Sequence, residues 1–134
     1  MPSYLLDTNH LGIAVRKGST VAKRIDTSRR AGNRIGTCLP VLCELQAGSR
    51  QVSLPDKYQR DLTHLLKQLR IWPLELTTTT IFGDIHSELK RIGRAASSVD
   101  IIVAALARQW NLVILTTDQD FKAIPGLVIE NWTI

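Results

Sequence analysis

Four acids set the chemistry this sequence can carry: Asp7, Glu44, Asp100 and Asp118. Each stands where an apolar run meets polar residues. Asp7 closes Tyr4-Leu5-Leu6, Glu44 sits among Val41, Leu42 and Leu45, Asp100 precedes Ile101-Ile102-Val103, and Asp118 follows Leu115-Thr116-Thr117. Carboxylates gathered in one pocket raise one another's pKa unless a cation joins them. An oxygen-only ligand set suits Mg²⁺ or Mn²⁺, whereas zinc recruits His or Cys. One or two such ions polarise a phosphodiester and lower the pKa of an attacking water. Asp7 is the expected central ligand. Asp100 and Asp118 complete the metal set directly or through water, and Glu44 ligates or orients the water. Asn9 and Thr116 are expected to hold the carboxylates by hydrogen bonds. No lysine or histidine stands out as a general base.

Each acid also has a plainer reading. Asp7 is a turn residue at a strand end. Asp100 is the far member of a capping box opened by Ser97. Glu44 is an exposed helix residue. Asp118 is a turn residue, with Asp120 as ligand in its place. Ser49, Ser97 and Ser98 lack a histidine partner, and no glycine-rich phosphate loop is present. His10 lies beside Asp7 in sequence and reads as a plain loop residue, with contact to substrate as the alternative. His64 and His86 read as surface or half-buried helix residues.

The elements that must position these acids follow from periodicity. A first strand ends at Leu6 and a short helical turn spans residues 10–15. A basic helix spans 20–30 and a second strand 34–39. Pro40 fits the first turn of a helix that stops at Gly48. An amphipathic helix spans 56–70 with Leu62, Leu65, Leu66 and Leu69 as its stripe. Residues 71–76 form an edge strand that Pro73 weakens. A hydroxyl from Thr77 to Thr80 caps the next helix, which runs to Gly93. The most apolar helix spans 98–109, a buried strand 112–115, a short turn 121–124 and a last strand 127–132. Alternating strands and helices in a single domain, residues 1–134, give an α/β fold with a parallel sheet covered on both faces. In such a sheet Asp7 and Asp118 lie at the carboxyl edge, where ligands bind. The short link from Gln109 to Leu112 returns Asp100 to the same edge. Glu44 reaches it from the first turns of its helix.

Seventeen Lys and Arg against twelve Asp and Glu give a net charge of +5, compatible with a polyanionic partner. Arg29, Arg30, Lys90, Arg91 and Arg94 are the candidate phosphate contacts. Cys38 and Cys43 read as buried thiols rather than a zinc pair. No apolar run approaches the ~20 residues of a membrane helix, and no secretory leader is visible. The expected location is cytoplasmic.

Taken together, these blocks resemble the PIN-domain ribonucleases, most closely the VapC-type toxins of prokaryotic toxin–antitoxin pairs. Leu6-Asp7-Thr8-Asn9 is similar to the family's opening motif. Pro40-Val41-Leu42-Cys43-Glu44-Leu45 is similar to the segment supplying its second acid. Ser98-Val99-Asp100-Ile101-Ile102-Val103-Ala104-Ala105 resembles the block of the third acid. Leu115-Thr116-Thr117-Asp118-Gln119-Asp120-Phe121, then Ile124-Pro125-Gly126-Leu127, resembles the last block. One departure is Arg94-Ala95-Ala96-Ser97, where family members often carry a proline. The resemblance implies a three-layer α/β/α sandwich with four or five parallel strands. It implies a Mg²⁺- or Mn²⁺-dependent endoribonuclease that cuts a structured RNA such as tRNA or rRNA. It also implies a homodimer, a cognate VapB-type antitoxin and operator DNA bound only through that antitoxin.

For the antitoxin, helices 56–70 and 81–93 are expected to clamp an apolar cleft edged by Trp72 and Trp110. Trp132 is expected at the surface or in a dimer contact. Two other function classes compete. A phosphoacceptor α/β domain also places an Asp after its first strand, but this chain lacks a second acid two residues on and a late lysine. A non-catalytic or regulatory RNA-binding domain with a vestigial site is the main alternative.

Overall fold

The computed structural model describes residues 2–134. Its centre is β1 (Ser3–Leu6), whose Leu5 and Leu6 are fully buried. On one side β1 pairs with β2 (Arg34–Thr37), and β2 with the short edge strand β3 (Arg70–Ile71). On the other side it pairs with β4 (Val113–Leu115), and β4 with β5 (Val128–Glu130). All pairs are parallel and the order is β3-β2-β1-β4-β5. This is the expected α/β/α sandwich with five strands.

The helices are α1 (Thr8–Val15), α2 (Thr20–Arg30), α3 (Leu39–Ser49), α4 (Pro55–Leu66), α5 (Leu76–Arg91) and α6 (Ser98–Trp110). The chain steps from β1 to β2 to β3 in one direction, then returns across the sheet to β4. Right-handed crossovers therefore put α1 to α4 on one face and α5 with α6 on the other. Val103, Ala104, Ala105 and Leu106 of α6 are completely buried. The alanines let that helix lie close to the sheet, as its composition suggests.

Several expected boundaries move. The second strand ends at Thr37, and Leu39 opens α3 instead. Gly48 lies inside α3 without a left-handed φ, so it is not the helix stop. The strand expected over 71–76 shrinks to β3, because Pro73 lacks the N–H a ladder needs and Leu76 already begins α5. The cap of that helix is Glu75 rather than a threonine; Thr78 lies inside the first turn as the reciprocal member of a capping box, its hydroxyl accepting from the Glu75 N–H at 3.0 Å. The helix expected over 56–70 ends at Leu66. The expected clamp does not form, since α4 packs on α1 and α5 on α6, on opposite faces of the sheet. Cys38 is buried but Cys43 is exposed.

Gly36 shows how tightly the β2–β3 edge is built. A Cβ there would stand 2.5 Å from the Arg70 carbonyl oxygen and 2.7 Å from Trp72 Nε1. That space is used by the Trp72 indole, which donates to the Tyr4 carbonyl at 3.0 Å.

His10 and Trp132 are corrections of a larger kind. His10 is not in a loop; it lies within α1 and is completely buried. Its Nε2 accepts from the Trp132 N–H at 2.9 Å, while Nδ1 has no partner. Trp132 is 4% exposed, packs on Tyr4 with ring centroids 4.9 Å apart, and lies under the Arg24 guanidinium. Arg24 also donates to the Ile134 carbonyl at 3.2 Å. The last residues are thus fastened to α1 and α2 by a neutral imidazole, because only the neutral ring accepts.

Burial, helped by the Arg24 charge, lowers the His10 pKa to about 4. The unfolded chain then binds this proton first, so the contribution is present above about pH 6.5 and is lost as pH falls toward 4. The loss is on the order of 3 kcal/mol across that window. Urea unfolding of wild type and His10→Asn between pH 7 and 4 checks it. The variant is expected to be less stable at pH 7 and to show a shallower fall. Parallel curves would mean that His10 does not titrate on unfolding.

Candidate functional site

The β1–β4 register builds the site. Leu6 lies beside Leu115, so Asp7 and Thr116 leave the sheet side by side. The Asp7 N–H continues the ladder to the Leu115 carbonyl at 3.0 Å. The Thr116 hydroxyl donates to Asp7 Oδ2 at 3.0 Å. The Thr8 N–H donates to Asp7 Oδ1 at 2.9 Å, which also caps α1. Both Asp7 oxygens are therefore held, and the residue is 8% exposed.

Thr116 and Thr8 extend this order outward. Thr116 Oγ1 accepts from the Asp118 N–H at 3.0 Å. The Thr8 hydroxyl donates to Glu44 Oε1 at 2.6 Å and so ties α3 to the start of α1. Thr8 is the residue that sequence reasoning missed. Its signal was its place directly after an acid at a strand end, where one residue offers an N–H and a hydroxyl. Asn9 was expected to hold a carboxylate; instead its Nδ2 donates to Thr117 Oγ1 at 3.1 Å. Asp100 stands in the first turn of α6, where Ser97 Oγ accepts from its N–H at 3.1 Å. The capping reading of Ser97 is therefore sound, and it leaves the Asp100 carboxylate half-buried toward the other acids.

Asp7 and Asp100 register the charges around them. Burial is the largest influence raising the Asp7 pKa, the Thr8 and Thr116 hydrogen bonds pull it back, and Glu44 and Asp118 push it up further. Burial also leads for Asp100, followed by Asp7, with Ser97 partly offsetting, then Asp118 and Glu44. Even Cys38 registers the charge: burial foremost, then Asp7 and Glu44, push its thiol to about 11, which leaves it unreactive.

Among the described residues none of the four acids is in an ion pair. Nor do any three His, Cys, Asp or Glu side chains among them form a preassembled metal-holding group. The donor chemistry nevertheless fits a hard divalent cation, since oxygens dominate and their charges are unneutralised. The fit lies in charge and donor type; ligand geometry is not closed in advance.

The basic residues divide. Arg94 lines a half-open cavity of about 250 Å³ together with Asp100, Asp118 and Asp120. Its guanidinium is 4.0 Å from Asp120. Lys90 and Arg91 are exposed and follow Leu89, which lines the same cavity. Arg29 and Arg30 are not brought to the acids. They end α2 just before β2 begins, at the amino edge, roughly 13 Å of strand away. There Arg30 pairs with Asp26 at 2.9 Å and Arg29 reaches Gln68.

Comparison with known proteins gives a consistent result. Residues 4–127 match the PIN domain. The chain is 29% identical to "Ribonuclease VapC2" of Rickettsia felis, covering 96% of this chain and 97% of that protein. It is 24% identical to the "tRNA(fMet)-specific endonuclease VapC" of Shigella flexneri, over 99% of this chain and all of that one. Among solved structures, VapBC2 of Rickettsia felis bound to a promoter DNA fragment superposes with a TM-score of 0.86 at 28% identity, covering 97% of this chain and 98% of that chain. DNA-bound VapBC of Salmonella typhimurium gives 0.84 at 25% identity, covering 98% and 99%.

The uncompensated charges have a measurable consequence. Asp7 and Asp100 bind a proton more readily folded than unfolded, so their contribution to stability falls as pH rises from the unfolded value through the raised folded one. Asp7→Asn keeps an acceptor for the Thr8 N–H and removes one repelling charge. In EDTA at pH 7 it is expected to be more stable than wild type in urea unfolding. Millimolar Mn²⁺ should raise the melting temperature of wild type and leave Asp7→Asn unmoved.

Proposed function

The chain belongs to the PIN-domain family, a family of metal-dependent endoribonucleases, and from that premise we propose that Asp7, Glu44, Asp100 and Asp118 form its nuclease site. The proposed biological role is that of a VapC-type ribonuclease toxin. The observation that carries this reading is the Asp7 carboxylate, held by Thr8 and Thr116, pressed by neighbouring acids and, among the described residues, without an ion-pair partner.

Asp7, Asp100 and Asp118 would hold the ion, Mg²⁺ or Mn²⁺. The chemistry supplied by a divalent ion there is polarisation of the scissile phosphodiester and a lowered pKa for the attacking water. The chain's own residues do the positioning. Thr8 and Thr116 fix the Asp7 oxygens. Thr8 also fixes Glu44 Oε1, which leaves Oε2 to accept a hydrogen bond from the attacking water and aim it. Arg94, with Lys90 and Arg91 nearby, offsets the backbone charge of an RNA entering a region of carboxylates. Arg29 and Arg30 remain as contacts only for a remote stretch of a long RNA.

The proposed substrate is a structured RNA such as tRNA or rRNA, and the proposed partner is a VapB-type antitoxin through which the pair binds operator DNA. A homodimer completes the proposal. It is supported by exposed Leu39, Leu74 and Leu76 and by an apolar depression over Pro40, Ala47 and Val99. The reading of a vestigial, non-catalytic site is not favoured, because all four acids are present and, among the described residues, none is in an ion pair. Among the described residues no helix is long and apolar enough to cross a membrane.

Purified chain is expected to cleave RNA with Mg²⁺ or Mn²⁺ and to stop in EDTA. Asp7→Asn should lower cleavage more than about 100-fold, and Thr8→Val or Thr116→Val by about 10- to 100-fold. RNA 5′-end sequencing after brief induction locates the cut. Wild-type cleavage rates in Asp7→Asn would overturn the assignment of the central ligand.

A further inference from the structure

The cavity beside the acids has a second side that phosphodiester chemistry does not use. Its lining combines the acceptors Asp100, Asp118 and Asp120 with the apolar side chains of Leu89, Ala96, Phe121 and Ile124. Arg94 stands at the lip, and its one ion pair, with Asp120, is at the 4.0 Å limit. Asp120 is 86% exposed in its side chain and Arg94 55%, so both are free to engage a ligand. At about 250 Å³ the space falls just under the ~300–1,000 Å³ of drug-sized pockets. It suits one flat heterocycle. An occupant must be apolar on its face and carry N–H donors on its edge, because carboxylates only accept. It must also lie next to the phosphodiester that a cation held by Asp100 and Asp118 would bind.

A nucleobase meets all of these conditions. We propose that this cavity receives the unstacked base of the nucleotide flanking the scissile phosphate. Asp120 accepts from the base edge, and Arg94 holds the phosphate on the far side of that nucleotide. The inference rests on the nuclease reading and deepens it. A paired base cannot enter, so the cut falls in a loop, bulge or single strand, where unstacked bases are available. Bases with an exocyclic amino group, guanine, adenine or cytosine, fit these acceptors better than uracil does.

Ala96 is exposed in the loop before α6, so a larger residue there fills the cavity without entering the core. The experiment uses the wild-type chain and Ala96→Trp with Mn²⁺. The probes are a hairpin RNA with a mixed-sequence loop and the same RNA made abasic at each nucleotide flanking the mapped cut. Wild type is expected to cut one abasic RNA about 10-fold more slowly than the intact hairpin. Ala96→Trp should cut the intact hairpin about 10-fold more slowly and show no further loss on that abasic RNA, the non-additivity of two changes acting on one contact. Its Mn²⁺-induced rise in melting temperature should equal that of wild type, which separates a filled cavity from a damaged metal site. Equal cleavage of intact and abasic RNAs by wild type would overturn the base pocket while leaving the nuclease intact. Full additivity of Ala96→Trp with base removal would do the same. Failure of wild type to cut any RNA would overturn the nuclease reading itself, and the pocket with it.

Discussion

The hydrogen bond from Thr116 to Asp7 joins residues 109 positions apart, and most of the site depends on it. It exists because β1 and β4 are neighbours in a fixed register. A slip of one residue would turn Asp7 toward the opposite face of the sheet and separate it from Thr116. The register is in turn secured by Leu5, Leu6, Ile114 and Leu115, all fully buried. The core therefore does more than stabilise the chain. It sets the one carboxylate around which the others are placed, and Thr8 and Thr116 pass that placement on to Glu44 and Asp118.

The cost of this arrangement is electrostatic. Asp7 and Asp100 bring like charges into partly buried positions, which opposes folding, and among the described residues no arginine or lysine pairs with them. The basic surplus of the chain is instead spent elsewhere: Arg108 on Glu88 between α5 and α6, Arg24 on the C-terminal residues, Arg30 on Asp26. Leaving the acids unneutralised preserves their capacity for an external cation. A structural ion pair at Asp7 would have made a more stable protein with no room for one.

What the sequence made legible was what local chemistry decides. The ends of β1 and β4, the place of Pro40 in the first turn of α3, the alanine-rich face of α6 and the acids at the carboxyl edge all follow from periodicity and turn residues. What it hid was what tertiary contact decides. His10 looked like a loop residue because its polar neighbours masked an immediate helix start, and its partner Trp132 lies 122 residues away. Arg29 and Arg30 looked equivalent to Arg94 in charge. Only the direction of β2 shows that they belong to the opposite edge. Leucines at helical spacing in α4 and α5 suggested a shared cleft, but the return of the chain across the sheet puts the two helices on opposite faces. Thr8 was visible in its motif, yet its double hydrogen bond needed α3 in place.

The position of β1 has a consequence in time. Asp7 is synthesised 109 residues before Thr116, and His10 122 residues before the Trp132 that locks α1. A nascent chain carries Asp7 through that whole interval without the hydroxyl that holds it or the indole segment that fastens its helix. The edge that gathers the acids is thus completed only after β4 has been made.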